Sequence, residues 1–204
     1  MKFIDAGLDG VIVIEPDVYR DERGFFVETY RADKYSEAGL SLKFVQDNQS
    51  RSVRGTIRAL HAQRNAPQGK LVRAVSGAIL DVIVDIRRFS PTFLKWISVE
   101  LSAENFRQIY VPPGFAHGIC IVSEVAEIAY KCTDYYDPAD ELRIIWNDPA
   151  IGVKWPVSTP ILSAKDRDAQ TLAAQMDLLP IYLEDQPAQT LAGSFTREAP
   201  RSRV

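Results

Sequence analysis

The two histidines of the chain, His61 and His117, are the first candidates for catalytic chemistry. His61 lies between Arg58 and Lys70 in a segment that otherwise has the pattern of a strand, and neighbouring positive charge favours the neutral imidazole that can accept a proton. His117 follows a Pro-Pro-Gly turn at the start of another predicted strand. Because a single histidine in a strand is more often structural than catalytic, these positions alone leave both roles open.

Metal binding is another common use of histidine in β-rich proteins, and the sequence does not favour it. A catalytic metal site usually needs three protein ligands, and this chain has two histidines and no His-x-His or His-x-x-x-His pair. Asp or Glu could complete a set, but we expect no metal. Cys120 and Cys132 lack the spacing of a redox motif or zinc site, so we expect free buried thiols in a reducing cytoplasm.

Tyr130 and Asp166 each have a structural and a functional interpretation. In the segment 125–133, alternation places Tyr130 on an apolar face, where it is either a core tyrosine or a phenol aimed at a bound ligand. Asp166 lies at the start of a predicted helix, where an acid usually caps the helix or interacts with its dipole. If Asp166 reached His61, it could fix the imidazole tautomer and raise its basicity, as in a catalytic dyad.

Further polar residues lie in predicted bends and loops. Arg23 and Glu28 flank a Gly-Phe-Phe sequence, and surface charge is their default interpretation. Tyr135, Tyr136 and Glu141 belong to a predicted loop that follows a strand. A tyrosine in such a loop either anchors the turn or stacks against a flat ring of a ligand.

The elements that must position these residues are mostly strands. The segment 78–86 alternates apolar residues with Asp81 and Asp85, which predicts a half-buried antiparallel strand. The Ser76-Gly77 pair before it predicts a hairpin with residues 70–75. Further strands are predicted at 93–101, at 107–123 with the Pro-Pro-Gly turn inside, and at 125–133. Many short strands without long helices between them favour a sandwich or jelly roll.

Two short helices and a C-terminal tail complete the prediction. Residues 31–39 form a short helix, and residues 163–176 form the other, opened by a Ser-x-x-Asp cap. We expect a single domain over residues 1–183, followed by a polar tail over 184–204.

Strict alternation places Arg58 and His61 on opposite faces of a strand, because they are three residues apart. For both to line one pocket, a bulge or a strand end must lie between them.

Composition limits the classes of function. Of the 204 residues, 46% are hydrophobic and 25% are charged, which is typical of a globular protein. A net charge of −3 argues against a general nucleic-acid binder. Arginines outnumber lysines, and the guanidinium group suits phosphate and carboxylate, so a small anionic ligand fits the composition. The first ten residues have no apolar h-region, and no apolar run is long enough for a bilayer, so we expect neither a signal peptide nor a membrane span.

Several of these segments together closely resemble one family, the dTDP-4-dehydrorhamnose 3,5-epimerases. The matching segments appear in the family's order over about residues 3 to 183. They are "RDERGFFVE", "FVQDNQSRSVRGTIRALHAQ", "PQGKLVRAVSGAILDVIVDIR", "SPTFLKWISVELSAEN", "VPPGFAHG", "YKCTDYYDPADE", "IIWNDPAIGVKWP" and "PILSAKD". No single segment is decisive, but all of them in order make a specific match.

The resemblance implies a fold, an assembly and a reaction. The fold would be a mostly β, cupin-type double-stranded β-helix, or jelly roll, with a few short helices. The protein would form a cytoplasmic homodimer and need no metal or other cofactor. It would invert C3 and C5 of dTDP-4-dehydro-6-deoxy-D-glucose to give dTDP-4-dehydro-L-rhamnose, a precursor of L-rhamnose for cell-surface polysaccharide. No nucleic acid or membrane partner is expected.

The resemblance also implies site residues, matched by motif position. His61 resembles the general base, Asp166 its dyad partner, Tyr130 the acid on the opposite face of the sugar, and Lys70 a group near the C4 oxygen. Tyr136 matches a position that stacks on thymine. The other positions that match substrate-binding residues are Arg23, Glu28, Gln46, Asn48, Arg58, His117, Glu141 and Lys165.

The sequence departs from the family's pattern beside His61. Ala59 stands where the family usually has glycine, and Ala62 where an aromatic residue is common. Three alternatives stay open: an epimerase acting at C3 or C5 alone, a non-catalytic sugar-nucleotide-binding cupin, and a metal-dependent cupin oxygenase.

Overall fold

The computed structural model describes residues 1–183, so the predicted tail at 184–204 lies outside the described residues. The helical segments are α1 (Ala32–Glu37), α2 (Ala164–Arg167) and a 3₁₀ helix (Ala173–Leu178). The strands are β1 (Lys2–Asp5), β2 (Ile12–Glu15), β3 (Val18–Asp21), β4 (Gly24–Val27), β5 (Gln46–Val53), β6 (Ile57–Gln63), β7 (Lys70–Ser76), β8 (Ala78–Asp85), β9 (Trp96–Ser102), β10 (Gln108–Val111), β11 (Phe115–Ile121), β12 (Val125–Cys132) and β13 (Glu141–Arg143).

Two antiparallel sheets form the body of the molecule. Sheet A has the strand order β1-β2-β10-β7-β12-β5, and sheet B has the order β13-β6-β11-β8-β9. Strands β3 and β4 pair only with each other and form a separate hairpin. The prediction of a mostly β, jelly-roll-type fold with a few short helices is confirmed.

The main core lies between the two sheets. It joins Val72 and Ile128 of sheet A to Ile79, Ile83 and Ile119 of sheet B in one cluster. Because side chains alternate along a strand, every second residue of β7, β8, β11 and β12 points into this layer. The polar residues that share these inward positions therefore lie deep inside the protein.

The prediction that residues 78–86 form a half-buried strand is wrong in its burial. Strand β8 is present, but Asp81 and Asp85 are 0% exposed, as are Val82 and Val84 on its other face. A second apolar cluster covers that other face, because the chain after β13 folds back over sheet B and packs Leu172 there. Both faces of β8 are buried as a result.

The predicted hairpin between residues 70–75 and 78–86 is also wrong. Strand β7 belongs to sheet A and β8 to sheet B, so the Ser76-Gly77 link carries the chain from one sheet to the other. Gly77 has a φ of +68°, and a Cβ there would clash with the Val125 carbonyl. Glycine adopts the positive φ without strain and, because it has no Cβ, avoids the clash.

The helix predictions are confirmed in part. The predicted helix at 31–39 is α1. The single helix predicted over 163–176 is wrong, because α2 and the 3₁₀ helix are separated by a segment in which Gln170 bridges to Ile144 and the Leu172 amide donates to Asp148 at 2.7 Å. These tertiary hydrogen bonds replace the intrahelical ones that a continuous helix would form.

No helix within residues 1–183 is long and apolar enough to cross a membrane.

Candidate active site

A cavity of about 340 Å³ opens between the two sheets. Its polar lining comes from both walls. Sheet A provides Ser50, Lys70 and Tyr130, whereas sheet B provides Arg58, His61, His117, Glu141 and Arg143. The Tyr136 loop and the α2 region add Tyr136, Ser163, Lys165 and Asp166. Of the thirteen site residues predicted from the sequence, those that line the cavity are His61, Tyr130, Asp166, Lys70, Arg58, His117, Tyr136, Glu141 and Lys165.

His61 and Asp166 form a hydrogen-bonded pair on the sheet B side of the cavity. Nε2 of His61 lies 2.6 Å from Oδ1 of Asp166. Ser163, the N-cap of α2, donates its hydroxyl to Oδ2 of Asp166 at 2.9 Å and accepts the Asp166 amide at 3.1 Å. Burial raises the pKa of Asp166, but the hydrogen bonds from His61 and Ser163 outweigh burial, and the pKa lies below its ordinary value. The carboxylate therefore stays ionised and can stabilise a protonated imidazole.

A register shift brings Arg58 and His61 to the same cavity. On β11 the pairing advances two residues, from His117 to Ile119, while on β6 it advances three, from His61 to Arg58. The extra residue in β6 is a bulge, which resolves the conflict with strict alternation.

Gly118 lies opposite this bulge. A Cβ at Gly118 would overlap the Cβ of Ala59 and lie 3.2 Å from the carbonyl oxygen of Arg58. The close approach of the two strands therefore depends on glycine at position 118, and it accommodates alanine at position 59.

Tyr130 occupies the opposite wall, on β12 of sheet A. Burial raises the pKa of its phenol above the ordinary value, and this effect outweighs the opposing influence of Arg58. The hydroxyl is therefore protonated at neutral pH and can donate a proton into the cavity. His61 and Tyr130 thus face one cavity from two different sheets.

Lys70 begins β7 and is half-buried in the sheet A wall. Burial lowers the pKa of its ammonium group, whereas Cys132, Glu141 and Asp81 act in the opposite direction. Within residues 1–183 it forms no ion pair or side-chain hydrogen bond. Its N–H donors are therefore available to a ligand in the cavity.

A polar network at one side of the cavity contains a residue that the sequence prediction missed. The Nε–H of Arg143 donates a hydrogen bond to Oε2 of Glu141 at 2.6 Å, and the Tyr136 hydroxyl donates to the same oxygen at 3.1 Å. Arg143 lies two residues after Glu141 on β13, so both side chains point to the same face. That spacing is the sequence signal that could have identified it.

Gln46 and Asn48 are placed beside the cavity rather than in its lining. Oε1 of Gln46 accepts the backbone amide of Tyr136 at 2.9 Å, and Nε2 donates to Oδ1 of Asn48 at 3.0 Å. These bonds fix the loop that carries the Tyr136 ring.

Arg23 and Glu28 lie away from the cavity. Arg23 is at the tip of the β3–β4 hairpin and pairs with Asp21 at 2.5 Å, and Glu28 pairs with Lys34 at 2.7 Å. Neither residue lines the cavity within one chain.

The described residues offer no ready-made metal centre. Residues 1–183 contain no group of three or more His, Cys, Asp and Glu side chains arranged to hold a metal ion. Cys120 and Cys132 are both free and buried.

The chain is similar in sequence to proteins of one known family. A sequence model of the family described as dTDP-4-dehydrorhamnose 3,5-epimerase matches residues 5–174. A protein of that name from Methanothermobacter thermautotrophicus is 49% identical over 89% of this chain and 98% of its own length. A protein named dTDP-4-dehydrorhamnose 3-epimerase, from Streptomyces niveus, is 40% identical over 89% of this chain and 90% of its own.

A solved structure shows the same fold. The crystal structure of dTDP-6-deoxy-D-glucose-3,5-epimerase from Legionella pneumophila, in complex with dTDP-4-keto-L-rhamnose, superposes with a TM-score of 0.86 at 47% sequence identity. The match covers 89% of this chain and 98% of that one.

Proposed function

Because this chain belongs to the dTDP-4-dehydrorhamnose 3,5-epimerase family, we propose that its cavity holds a dTDP-4-keto sugar with His61 on one face of the ring and Tyr130 on the other. The chain is an epimerase of L-rhamnose biosynthesis, which inverts C3 and C5 of dTDP-4-dehydro-6-deoxy-D-glucose to give dTDP-4-dehydro-L-rhamnose. The observation that carries the assignment of residues is the placement of the His61–Asp166 pair and the Tyr130 phenol on opposite sheets around one cavity.

Proton removal is the first step. The C4 ketone makes the hydrogens on C3 and C5 acidic, because the resulting carbanion delocalises onto the ketone oxygen. The His61 ring nitrogen that is not bonded to Asp166 takes the proton, and the Asp166 carboxylate stabilises the imidazolium that forms. Proton transfer by a positioned side chain typically contributes about 10²–10⁴ in rate.

The negative charge then develops on O4. The Lys70 ammonium group, which has no protein partner in the described chain, supplies positive charge to this oxygen. A donor already held in place stabilises charge more effectively than water, since it does not have to reorganise during the reaction.

Inversion requires a proton from the other face of the ring. Tyr130 donates its phenolic proton to the carbanion from the sheet A side, and the original proton stays on His61. Exchange with solvent restores both groups after each inversion. Hydrogen from the solvent therefore enters at every carbon that is inverted.

The remaining cavity residues suit the nucleotide part of the substrate. Arg58, His117, Lys165 and Arg143 place nitrogen donors around one cavity, as binding of a diphosphate requires. The Tyr136 ring, held by Gln46 and Glu141, is available to stack on thymine. This arrangement supports a sugar nucleotide rather than a free sugar as the substrate.

Incubation with dTDP-4-dehydro-6-deoxy-D-glucose in heavy water, followed by NMR, tests the function. We expect deuterium at both C3 and C5 of the product. Deuterium at only one carbon would favour the single epimerisation named for the Streptomyces niveus relative. No exchange at either carbon would contradict an epimerase and favour a non-catalytic sugar-nucleotide-binding protein.

We also propose that the protein is a homodimer in which the β3–β4 hairpin of one subunit reaches the cavity of its partner. The hairpin exposes two aromatic residues, Phe25 at 58% and Phe26 at 69%, and contacts the rest of its own chain through the Phe25–Phe106 ring pair. Exposed aromatic rings are typical of interfaces. Within one chain, Arg23 and Glu28 lie away from the cavity. Exchange of hairpins would bring them to the cavity of the partner subunit.

Coexpression of two inactive variants tests this assembly. In a hybrid of Arg23→Ala and His61→Asn subunits, hairpin exchange creates one site with both residues intact. We expect activity in the purified hybrid dimer and little activity in either parent. A hybrid as inactive as its parents, or a monomer by analytical ultracentrifugation, would contradict the proposal.

A cytoplasmic location is proposed on the thiols alone. Cys120 and Cys132 are unpaired and buried, and free thiols persist in a reducing compartment.

A further inference from the structure

Asp81 is a buried carboxylate beside the cavity to which no role has yet been given. It lies in the middle of β8, is 0% exposed, and faces the layer between the sheets. Both of its carboxylate oxygens lie 2.9 Å from Nε2 of His117, which lines the cavity. Sequence alternation predicts a half-exposed face for Asp81, so this contact is visible only in the structure.

Asp81 depends on the hydrogen bond from His117 because its other neighbours are apolar. Ile119 is its register partner on β11, and Ile79 and Ile83 flank it on β8. Among the described residues, His117 is its only side-chain hydrogen-bond donor. A carboxylate buried among apolar side chains is strongly unfavourable unless a donor or a positive charge compensates it.

The other buried aspartates show the difference. Asp85 accepts hydrogen bonds from Arg87, Ser90 and Thr92, and Asp166 accepts from Ser163 as well as His61. Asp81 depends on one imidazole. The Asp81 carboxylate therefore holds the Nε2–H of His117 toward itself and fixes the orientation of the ring.

We propose that Asp81 is a positioning residue that holds His117 as a cationic hydrogen-bond donor to an anionic oxygen of the substrate. The inference rests on the proposed function, because it assumes a dTDP-keto sugar in the cavity. Two oxygens have the required chemistry, a diphosphate oxygen in the ground state and O4 once the enolate has formed.

The arrangement gives the two neighbouring histidines opposite tasks. His61 and His117 are register partners on β6 and β11, and each directs Nε2 to an aspartate. His61 must be neutral to take a proton, whereas His117 serves as a cation. Burial lowers the pKa of Lys70, and Asp81 acts in the opposite direction together with Cys132 and Glu141. Asp81 thus supports the positive charge of two groups that face the substrate.

The test uses Asp81→Asn, which keeps the size of the side chain and removes its charge. We expect about a 10-fold loss in dTDP affinity or in kcat, because the charge-assisted hydrogen bond between His117 and residue 81 becomes a neutral one. Weaker dTDP binding by calorimetry assigns His117 to the diphosphate, and unchanged dTDP binding with a lower kcat assigns it to O4. The melting temperature of the variant is measured alongside, so that a loss caused by unfolding is recognised.

A double-mutant cycle with His117→Asn separates positioning from a structural role. If Asp81 acts through His117, Asp81→Asn causes no further loss in the His117→Asn background. Equal losses in both backgrounds, or wild-type binding and kcat in Asp81→Asn, would overturn the inference. Asp148→Asn is the matched control, because Asp148 is buried and accepts the backbone amides of Leu172 and Ala150 away from the cavity. We expect it to leave dTDP binding unchanged.

A measurement on the unmutated protein keeps the inference testable if Asp81→Asn does not fold. In ¹⁵N-histidine-labelled wild-type protein saturated with dTDP, we expect protons on both ring nitrogens of His117 at neutral pH. A neutral His117 ring would overturn the inference. Failure of the wild-type protein to bind dTDP or to turn over the keto sugar would instead overturn the proposed function, so the two failures are distinguishable.

Discussion

His61 and Asp166 are 105 residues apart in the sequence, and their side chains meet at 2.6 Å in the cavity wall. His61 is held by β6, between β11 and β13, and Asp166 is held by its capping interaction with Ser163. Neither side chain has to move for the pair to form. Such preorganisation is what a general base requires when it must accept a proton and become charged inside a protein.

Asp166→Asn should lower kcat for epimerisation by about 10²–10⁴, because the amide cannot stabilise the imidazolium. Initial rates with the dTDP-keto sugar measure the effect. Asp168→Asn is the control, since Asp168 is exposed and lies two residues further along the same segment. Turnover by Asp166→Asn within twofold of the wild type would contradict the dyad.

Tyr130→Phe should separate proton removal from inversion. Without the phenol, the enolate can recover a proton only from the His61 side, so we expect deuterium uptake with retained configuration. The rate of inversion should fall by about 10²–10⁴. NMR in heavy water follows both events at once. Tyr135→Phe, at a residue that is 66% exposed in the neighbouring loop, should behave as the wild type. Normal inversion by Tyr130→Phe would show that another group supplies the proton.

Gly118→Ala should destabilise the protein by about 1–3 kcal/mol, since the added methyl group overlaps Ala59 across the β6 bulge. Combining it with Ala59→Gly should restore most of the lost stability, because the two side chains compete for one space. Urea unfolding of the single and double variants gives the free energies. Additive losses in the double variant would show that the contact is not the cause.

The Asp85 carboxylate should make the folded state sensitive to acid. Burial raises its pKa, but hydrogen bonds from Arg87, Ser90 and Thr92 outweigh burial and leave the pKa below its ordinary value. The unfolded chain binds this proton near the ordinary value of about 3.9, and the folded protein binds it only at lower pH. The stabilisation is therefore complete above about pH 4 and is lost as the pH falls through the lowered pKa.

Asp85→Asn tests this dependence. It should cost up to about 3–5 kcal/mol at neutral pH, because it removes the closer of the two carboxylates that pair with the buried Arg87 and leaves only Asp9, at 3.3 Å. The difference from the wild type should shrink between about pH 4 and pH 2, as urea unfolding at several pH values would measure. Asp177→Asn is the control, because Asp177 is fully exposed and lies 3.7 Å from Arg88. A stability difference that does not change with pH would contradict the assignment.

The sequence by itself determined the local structure and the family. Alternation of apolar residues located β8, β11 and β12, the Ser-x-x-Asp pattern located the cap of α2, and the ordered motifs identified the epimerases. These features could be predicted because each depends on residues a few positions apart. Side-chain periodicity and capping are properties of one strand or one helix end.

Only the tertiary structure decided which sheet each strand joins and what covers each face. Alternation shows that Asp81 and Val82 point in opposite directions, but it does not show what covers either face. Sheet A covers the face of Asp81, and the later chain near Ile144 and Leu172 covers the face of Val82. The bulge beside Ala59, the reach of Asp166 to His61 and the pairing of Asp81 with His117 likewise depend on contacts between distant segments. Such contacts form only where the packing of whole sheets brings the segments together, which no local pattern encodes.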